Sequence, residues 1–137
     1  MQSRRSDPAK EFEGGGMMEN IKYRAWDCIE QRMYSNVQNG IYQDPDEIID
    51  FGRILELERF KVMQYIGLND KNSREIYEED LYKNEFGIWV WKWKPQYARF
   101  VPVQPGNWIA SATQSYTKMI EIFGNIYENS ELIGALK

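Results

Sequence analysis

The chain is predicted to be mostly β with a few short helices, and three observations predict this. Short runs rich in β-formers, such as GIWVWKW and YARFVPV, recur along its second half between Pro, Gly and Asn. Such regular spacing favours a small barrel or curled sheet. Aromatic residues make up 15% of the 137 positions, enough to fill a core although mean hydropathy is −0.66. Helix signals are confined to two short stretches. The length suits one domain with room for two lobes.

Residues 1–16, MQSRRSDPAKEFEGGG, are polar and aperiodic and end in a flexible triglycine. They are expected to be a vector-derived or disordered leader, with the natural start at Met17 or Met18. IKYRAW (21–26) alternates like a strand, DCIEQR turns, and MYSNV supplies a second strand, giving a hairpin. DPDEIIDFG (44–52) carries helix punctuation: Asp44 to cap, Pro45 at the first position, Glu47 at capping-box spacing and Gly52 to close. In RILELERFKVMQYIG (53–67), Leu55 and Leu57 fall on one face, Phe60 and Val62 on the other. That fits a strand with a slip near Glu58, with a helix running past Gly52 as competitor. NDKNS (69–73) is a turn. REIYEEDLY, GIWVWKW, YARFVPV, NWIASAT and MIEIFGNIY follow as short strands, and ENSELIGAL as a short helix capped by Asn129.

Composition removes several chemistries. There is no histidine, so imidazole-based triads and ordinary zinc sites are excluded. Cys28 is the single cysteine, which fits a reducing compartment; a buried or half-buried apolar role is expected for it. The formal charge of −4 disfavours nucleic acid as a partner. No stretch approaches about 18 consecutive apolar residues, so no membrane span is expected, and the polar start lacks a signal-peptide core. Glu78, Glu79 and Asp80, with Asp70 and Glu75 nearby, lack calcium-loop spacing and are expected to be a solvated turn. No phosphate-cradling glycine loop exists. No catalytic, cofactor-binding or metal residue is assigned, and no cofactor is expected.

GIWVWKWK (87–94) is the conspicuous stretch. As a strand it points Trp89, Trp91 and Trp93 to one face, and Ile88, Val90, Lys92 and Lys94 to the other. Lysines resist burial, so the tryptophan face is the one expected to be covered, by this chain or a second copy. The competing reading is a stacking platform for single-stranded nucleic acid, built on Trp89, Trp91 and Trp93 with Lys92 and Lys94 and extended by Tyr97, Phe100 and Trp108. Those six aromatics are the candidate partner or self-association surface. Near a sheet edge, the lysines would also deter strand-to-strand aggregation.

IKYRAWD (21–27), MQYIGLNDKNSREIYEEDLY (63–82) and IFGNIYENSEL (122–132) resemble the YopX family of phage and prophage proteins. Two positions depart from the family's habit of glycine: Ser73 in the turn and Glu79 before the next strand. If those positions need positive φ, both residues bend at a cost. The resemblance implies a YopX-like domain over 17–137, with an N-terminal lobe at about 17–62 and an SH3-like small barrel at about 63–137. It also implies a location inside a bacterial host, in the cytoplasm. It supplies no activity. The expectation is a non-enzymatic phage accessory protein that acts by macromolecular binding or self-assembly through β-barrel surfaces. The alternative is the single-stranded nucleic-acid module, and a carboxylate hydrolase is the weakest reading.

Overall fold

A computed structural model describes residues 21–132 except Pro45 and Asn107, with the Asp44 backbone but not its side chain. The leader at 1–16 and the last residues of ENSELIGAL lie outside the described residues. The described chain is mostly β. It divides into two units, one ending at Tyr65 and one starting at Ile66.

In the first unit, β1 (Tyr23–Asp27) pairs antiparallel with β2 (Arg32–Tyr34) on one side and with the first part of β5 (Phe60–Asn69) on the other. The hairpin turn is built by Asp27. Its Oδ1 accepts the backbone N–H groups of Ile29 and Glu30 at 2.9 and 3.1 Å, and Arg59 forks onto both oxygens at 3.2 and 2.5 Å. Burial opposes ionisation of Asp27, yet the hydrogen bonds from Arg59 and from these two N–H groups outweigh it and hold its pKa below the usual carboxylate value. Ala25, Val37, Ile41, Ile54 and Phe60 form the core of this unit. Cys28 is exposed on the turn, not buried as expected, because the turn is held by backbone and Asp27 bonds and offers it no apolar pocket.

The helix expected at 44–52 is replaced by a hairpin. β3 (Ile41–Asp44) pairs with β4 (Glu47–Ile49), Ile41 opposite Ile49 and Tyr42 opposite Ile48. The helix begins later, as α1 (Phe51–Glu56). Asp50 is its N-cap, accepting the Arg53 N–H at 2.8 Å, and Gly52 sits inside the helix rather than closing it. The two aspartates, Asp44 and Asp50, both suit a cap. Burial decides between them: the later helix sinks Ile54 into the core and frees Ile49 to pack against it as a strand residue. A helix therefore does continue past Gly52, and β5 starts cleanly at Phe60 with no slip near Glu58.

The second unit holds the end of β5 with its neighbour β6 (Glu75–Tyr77), and a five-stranded antiparallel sheet. The sheet comprises β7 (Asp80–Asn84), β8 (Gly87–Lys94), β9 (Arg99–Gln104), β10 (Trp108–Ile109) and β11 (Gly124–Asn125), in the order β10-β9-β8-β7-β11. NWIASAT and MIEIFGNIY thus contribute two-residue strands, with α2 (Gln114–Thr117) between them. Ile76, Tyr82, Trp89, Trp91, Ile120 and Ile122 form the core. Two buried carboxylates organise its loops, so the acidic cluster is not a solvated turn. Asp70 accepts the N–H groups of Asn72, Arg74 and Ile122 at 2.8–2.9 Å, and Asp80 accepts that of Tyr77 at 2.8 Å. Near the end, Asn129 Oδ1 accepts the Asn125 N–H at 3.0 Å. That amide is spent backward on the loop rather than as a side-chain helix cap, and a 3₁₀ turn at Ser130–Leu132 follows.

Candidate functional site

β8 is the central strand of its sheet, and burial along it divides the three tryptophans that alternation places on one face. Trp89 and Trp91 are buried in the core, whereas Trp93 is 45% exposed. The expectation of a covered tryptophan face therefore holds for two of the three, covered by this chain itself. Lys92 and Lys94 lie in the part of β8 that has β9 but no longer β7 beside it. Pairing with β7 stops at Val90, while pairing with β9 continues to Lys94 opposite Arg99. Lys92 makes a 2.6 Å ion pair with Glu79.

At the Gly87 end of β8 lies an open cleft of about 620 Å³, lined by Asn84, Phe86, Trp89, Gln104, Trp108 and Tyr116 among others. Trp89 stacks against Tyr82 at 6.3 Å with the rings 8° from parallel. Asn84 sets the loop: its Oδ1 accepts both the Trp89 indole N–H at 3.0 Å and the Phe86 backbone N–H at 2.9 Å. Gln104, on β9, donates to the Phe86 carbonyl at 2.7 Å. These bonds hold Phe86 outward at 73% exposure, and Trp108 on β10 is 67% exposed. Gly87 makes the turn possible. Its φ is +117°, and a Cβ there would come within 2.9 Å of the Gln104 amide nitrogen. The Tyr82 and Tyr116 hydroxyls share a 2.8 Å hydrogen bond. Burial, then the Tyr116 hydroxyl, pushes the Tyr82 phenol far above its ordinary pKa, so it is a neutral structural group, not a nucleophile.

Five of the six candidate aromatics separate into two groups at opposite ends of β8. Trp89 and Trp108 line the cleft. Trp93 meets Phe100 edge to face at 4.9 Å, and Tyr97 stands exposed in the β8–β9 turn. Trp91 joins neither group. Sequence reasoning missed Phe86, Gln104, Ile109 and Tyr116. The Asn84-Glu85-Phe86-Gly87 stretch held a signal for the first: an aromatic at the tip of a two-residue hairpin loop has no core to enter.

Among the described residues no group of three or more His, Cys, Asp or Glu side chains is placed to hold a metal, and no helix is long and apolar enough to cross a membrane. The geometry is that of a small two-unit β protein with an aromatic cleft on the sheet of its second unit. The YopX family model, described as "YopX protein", matches residues 22–134, and the chain belongs to this family. Among solved structures it is similar to protein EF1440 from Enterococcus faecalis, at 24% identity and a TM-score of 0.57. That likeness covers 82% of this chain and 97% of the other, and it concerns the fold. The search of curated proteins finds no match.

Proposed function

We propose that this is a non-enzymatic accessory protein of phage or prophage origin, working in the bacterial cytoplasm by binding a host or phage macromolecule or a second copy of itself. In this reading the β7–β11 sheet is the SH3-like small barrel of the family, and the cleft receives an apolar segment of the partner. The observation that carries the reading is Phe86 facing water on one lip and Trp108 on the other, with the buried Trp89 beneath. Phe86 is held in solvent by the hydrogen bonds of its loop, and Trp108 is exposed beside the same cleft. Aromatic-lined grooves are a common device for taking extended peptides, and buried aromatics dominate binding energy at protein interfaces.

The test places a photo-crosslinking phenylalanine analogue at Phe86 in cells that carry the prophage, alongside light scattering of the pure protein. A discrete adduct, or a defined oligomer, that disappears in Trp108→Ala supports the reading. A monomer at roughly 100 μM, with crosslinks that Trp108→Ala leaves unchanged, overturns it; about 8 kcal/mol of binding would already give a micromolar complex.

A further inference from the structure

The cleft differs from a plain apolar groove in its charge. Among the described residues that line it, Glu85 alone is charged, and Phe86, Trp89, Trp108 and Tyr116 supply the rings. We propose that the cleft receives an arginine side chain carried on an extended segment of the partner, with its guanidinium against the exposed rings and paired with the Glu85 carboxylate. The inference rests on the cleft reading above and adds the chemistry of what enters.

Ring electrostatics carry the argument first. The face of an aromatic ring is negative and its edge positive, so a cation is drawn to the face. Phe86 and Trp108 are exposed at the cleft, and Tyr116 is half-buried in it. A neutral apolar side chain gains only contact area from these rings. A cation gains their quadrupole as well, and Glu85 adds a full negative charge to the same lining. Glu85 is exposed, and no described cation pairs with it. Lys92, Lys94, Arg99 and Lys118 follow it in sequence, yet none of them lines the cleft. The carboxylate therefore repels an acidic partner and is left for a basic one.

Two features favour a guanidinium over an ammonium. A lysine ammonium is compact and strongly hydrated, whereas a guanidinium is planar and weakly hydrated, lies flat on a ring and donates from its edge. An open cleft suits the flat group, because it does not have to enclose the cation on every side. A second acceptor also stands in the lining. The Gln104 side-chain nitrogen is spent on the Phe86 carbonyl at 2.7 Å, which leaves the amide oxygen to accept. Glu85 and Gln104 thus offer oxygens to the edge of a group whose face meets a ring. The other end of β8 has no such convergence. There the register sets the Trp93–Phe100 pair and the Lys94–Arg99 pair on opposite faces of the ribbon.

The test is an NMR titration that follows the indole N–H resonances of Trp89 and Trp108. The probe is a capped pentapeptide with arginine at its centre, flanked by leucines and ending in alanines. Versions with lysine, leucine or neutral citrulline at the centre are titrated beside it. Saturable shifts are expected with the arginine peptide, and binding weaker by about fivefold with the citrulline peptide, which keeps the shape and loses the charge. Trp108→Ala should weaken the arginine peptide by about tenfold. Glu85→Gln should weaken it by about threefold and leave the leucine peptide unchanged. Glu85 is exposed and unpaired among the described residues, so its variant should keep the parent's thermal midpoint and report binding alone. Trp93→Ala, at the far end of β8, should bind like the parent. Parity of the lysine, leucine or citrulline peptide with the arginine peptide overturns the proposal, and so does full binding by Glu85→Gln. A leucine peptide that binds as well as the arginine one overturns the arginine alone and leaves the cleft reading standing. No shift with any of the four overturns the arginine proposal, while the cleft reading is still decided by the Phe86 crosslink and its loss in Trp108→Ala.

Discussion

Among the described residues five that are not glycine hold a positive φ, and two of them, Ser73 and Glu79, stand where a family glycine would be cheaper. Ser73 has φ +65° and Glu79 has φ +71°, at the two positions where the family resemblance led us to expect a cost. Each is fixed by neighbours. The Ser73 N–H donates to the Asp70 carbonyl at 2.9 Å, inside the turn that the Asp70 carboxylate organises. The Glu79 N–H donates to the Trp91 carbonyl at 2.8 Å, and its carboxylate pairs with Lys92. Ser73→Gly should therefore stabilise the protein by about 1 kcal/mol in urea unfolding, since the left-handed penalty of a side chain is removed and nothing else is lost. Glu79→Gly should gain less, because the ion pair goes with the strain. Asp27 makes a pH prediction. Its folded pKa lies below its unfolded value, so its contribution to stability is complete above about pH 4 and is lost as pH falls through the folded pKa. Asp27→Asn should lower stability at neutral pH and flatten the acid limb of the stability–pH curve; an unchanged acid limb would show that Arg59 contributes nothing there.

At the scale of elements, capping and turn chemistry choose between alternatives that patterning leaves open. α1 is only six residues long, and such a helix is marginal without a cap and a buried anchor. Asp50 is the cap and Ile54 the anchor. Asp50→Ala should cost about 1 kcal/mol in thermal or denaturant melting. The corresponding change at Asp44, which the capping pattern nominated, should leave α1 intact by circular dichroism. The β7–β8 hairpin makes a sharper case. Gly87→Ala places a methyl at positive φ and against the Gln104 amide, so it should cost about 1–2 kcal/mol and release the Phe86 loop. Phe86 crosslinking should fall with it even where the protein stays folded. The close of the sheet works similarly: a Cβ at Gly124 would overlap the Asn129 amide, the group that accepts the Asn125 N–H. The three stretches that carry the family resemblance are therefore fold-making. Asp27, Asp70 and Asn125 each tie backbone N–H groups in a loop.

For the whole molecule, the proposed function rests on surfaces between the motifs. The five tryptophans report this directly. Trp26, Trp89 and Trp91 are buried, and Trp93 and Trp108 are exposed. Acrylamide should quench the intrinsic fluorescence in two phases, with a protected fraction that vanishes in urea. Uniform quenching would contradict the core placement of Trp89 and Trp91, and protection of Trp108 that fades on dilution would mark a second copy in the cleft. Trp91 adds a subtler test. Its indole N–H is buried with no hydrogen-bond partner among the described residues. Trp91→Phe removes that unpaired donor, whereas Trp89→Phe strips a bond from Asn84, so the Trp91 variant should be the less damaged of the two.

By itself the sequence determined the class, the family and most of the second unit's strands. Alternation and turn residues are local signals, and strands such as GIWVWKWK obey them. It also located two of the five positions of backbone cost among the described residues, because a missing glycine is visible in one chain set beside a family pattern. It did not determine where the first helix begins, since Asp44 and Asp50 are equivalent caps until Ile54 has a core to enter. Nor could it divide the tryptophans. Alternation assigns a face to a whole strand, but where a core stops along that strand depends on which distant residues arrive to cover it. Ile120 and Ile122 pack in the core with Trp89 and Trp91, while the ribbon beyond leaves Trp93 and Lys94 at its tip. That boundary exists only in the folded chain, and it separates the buried tryptophans from the exposed ones.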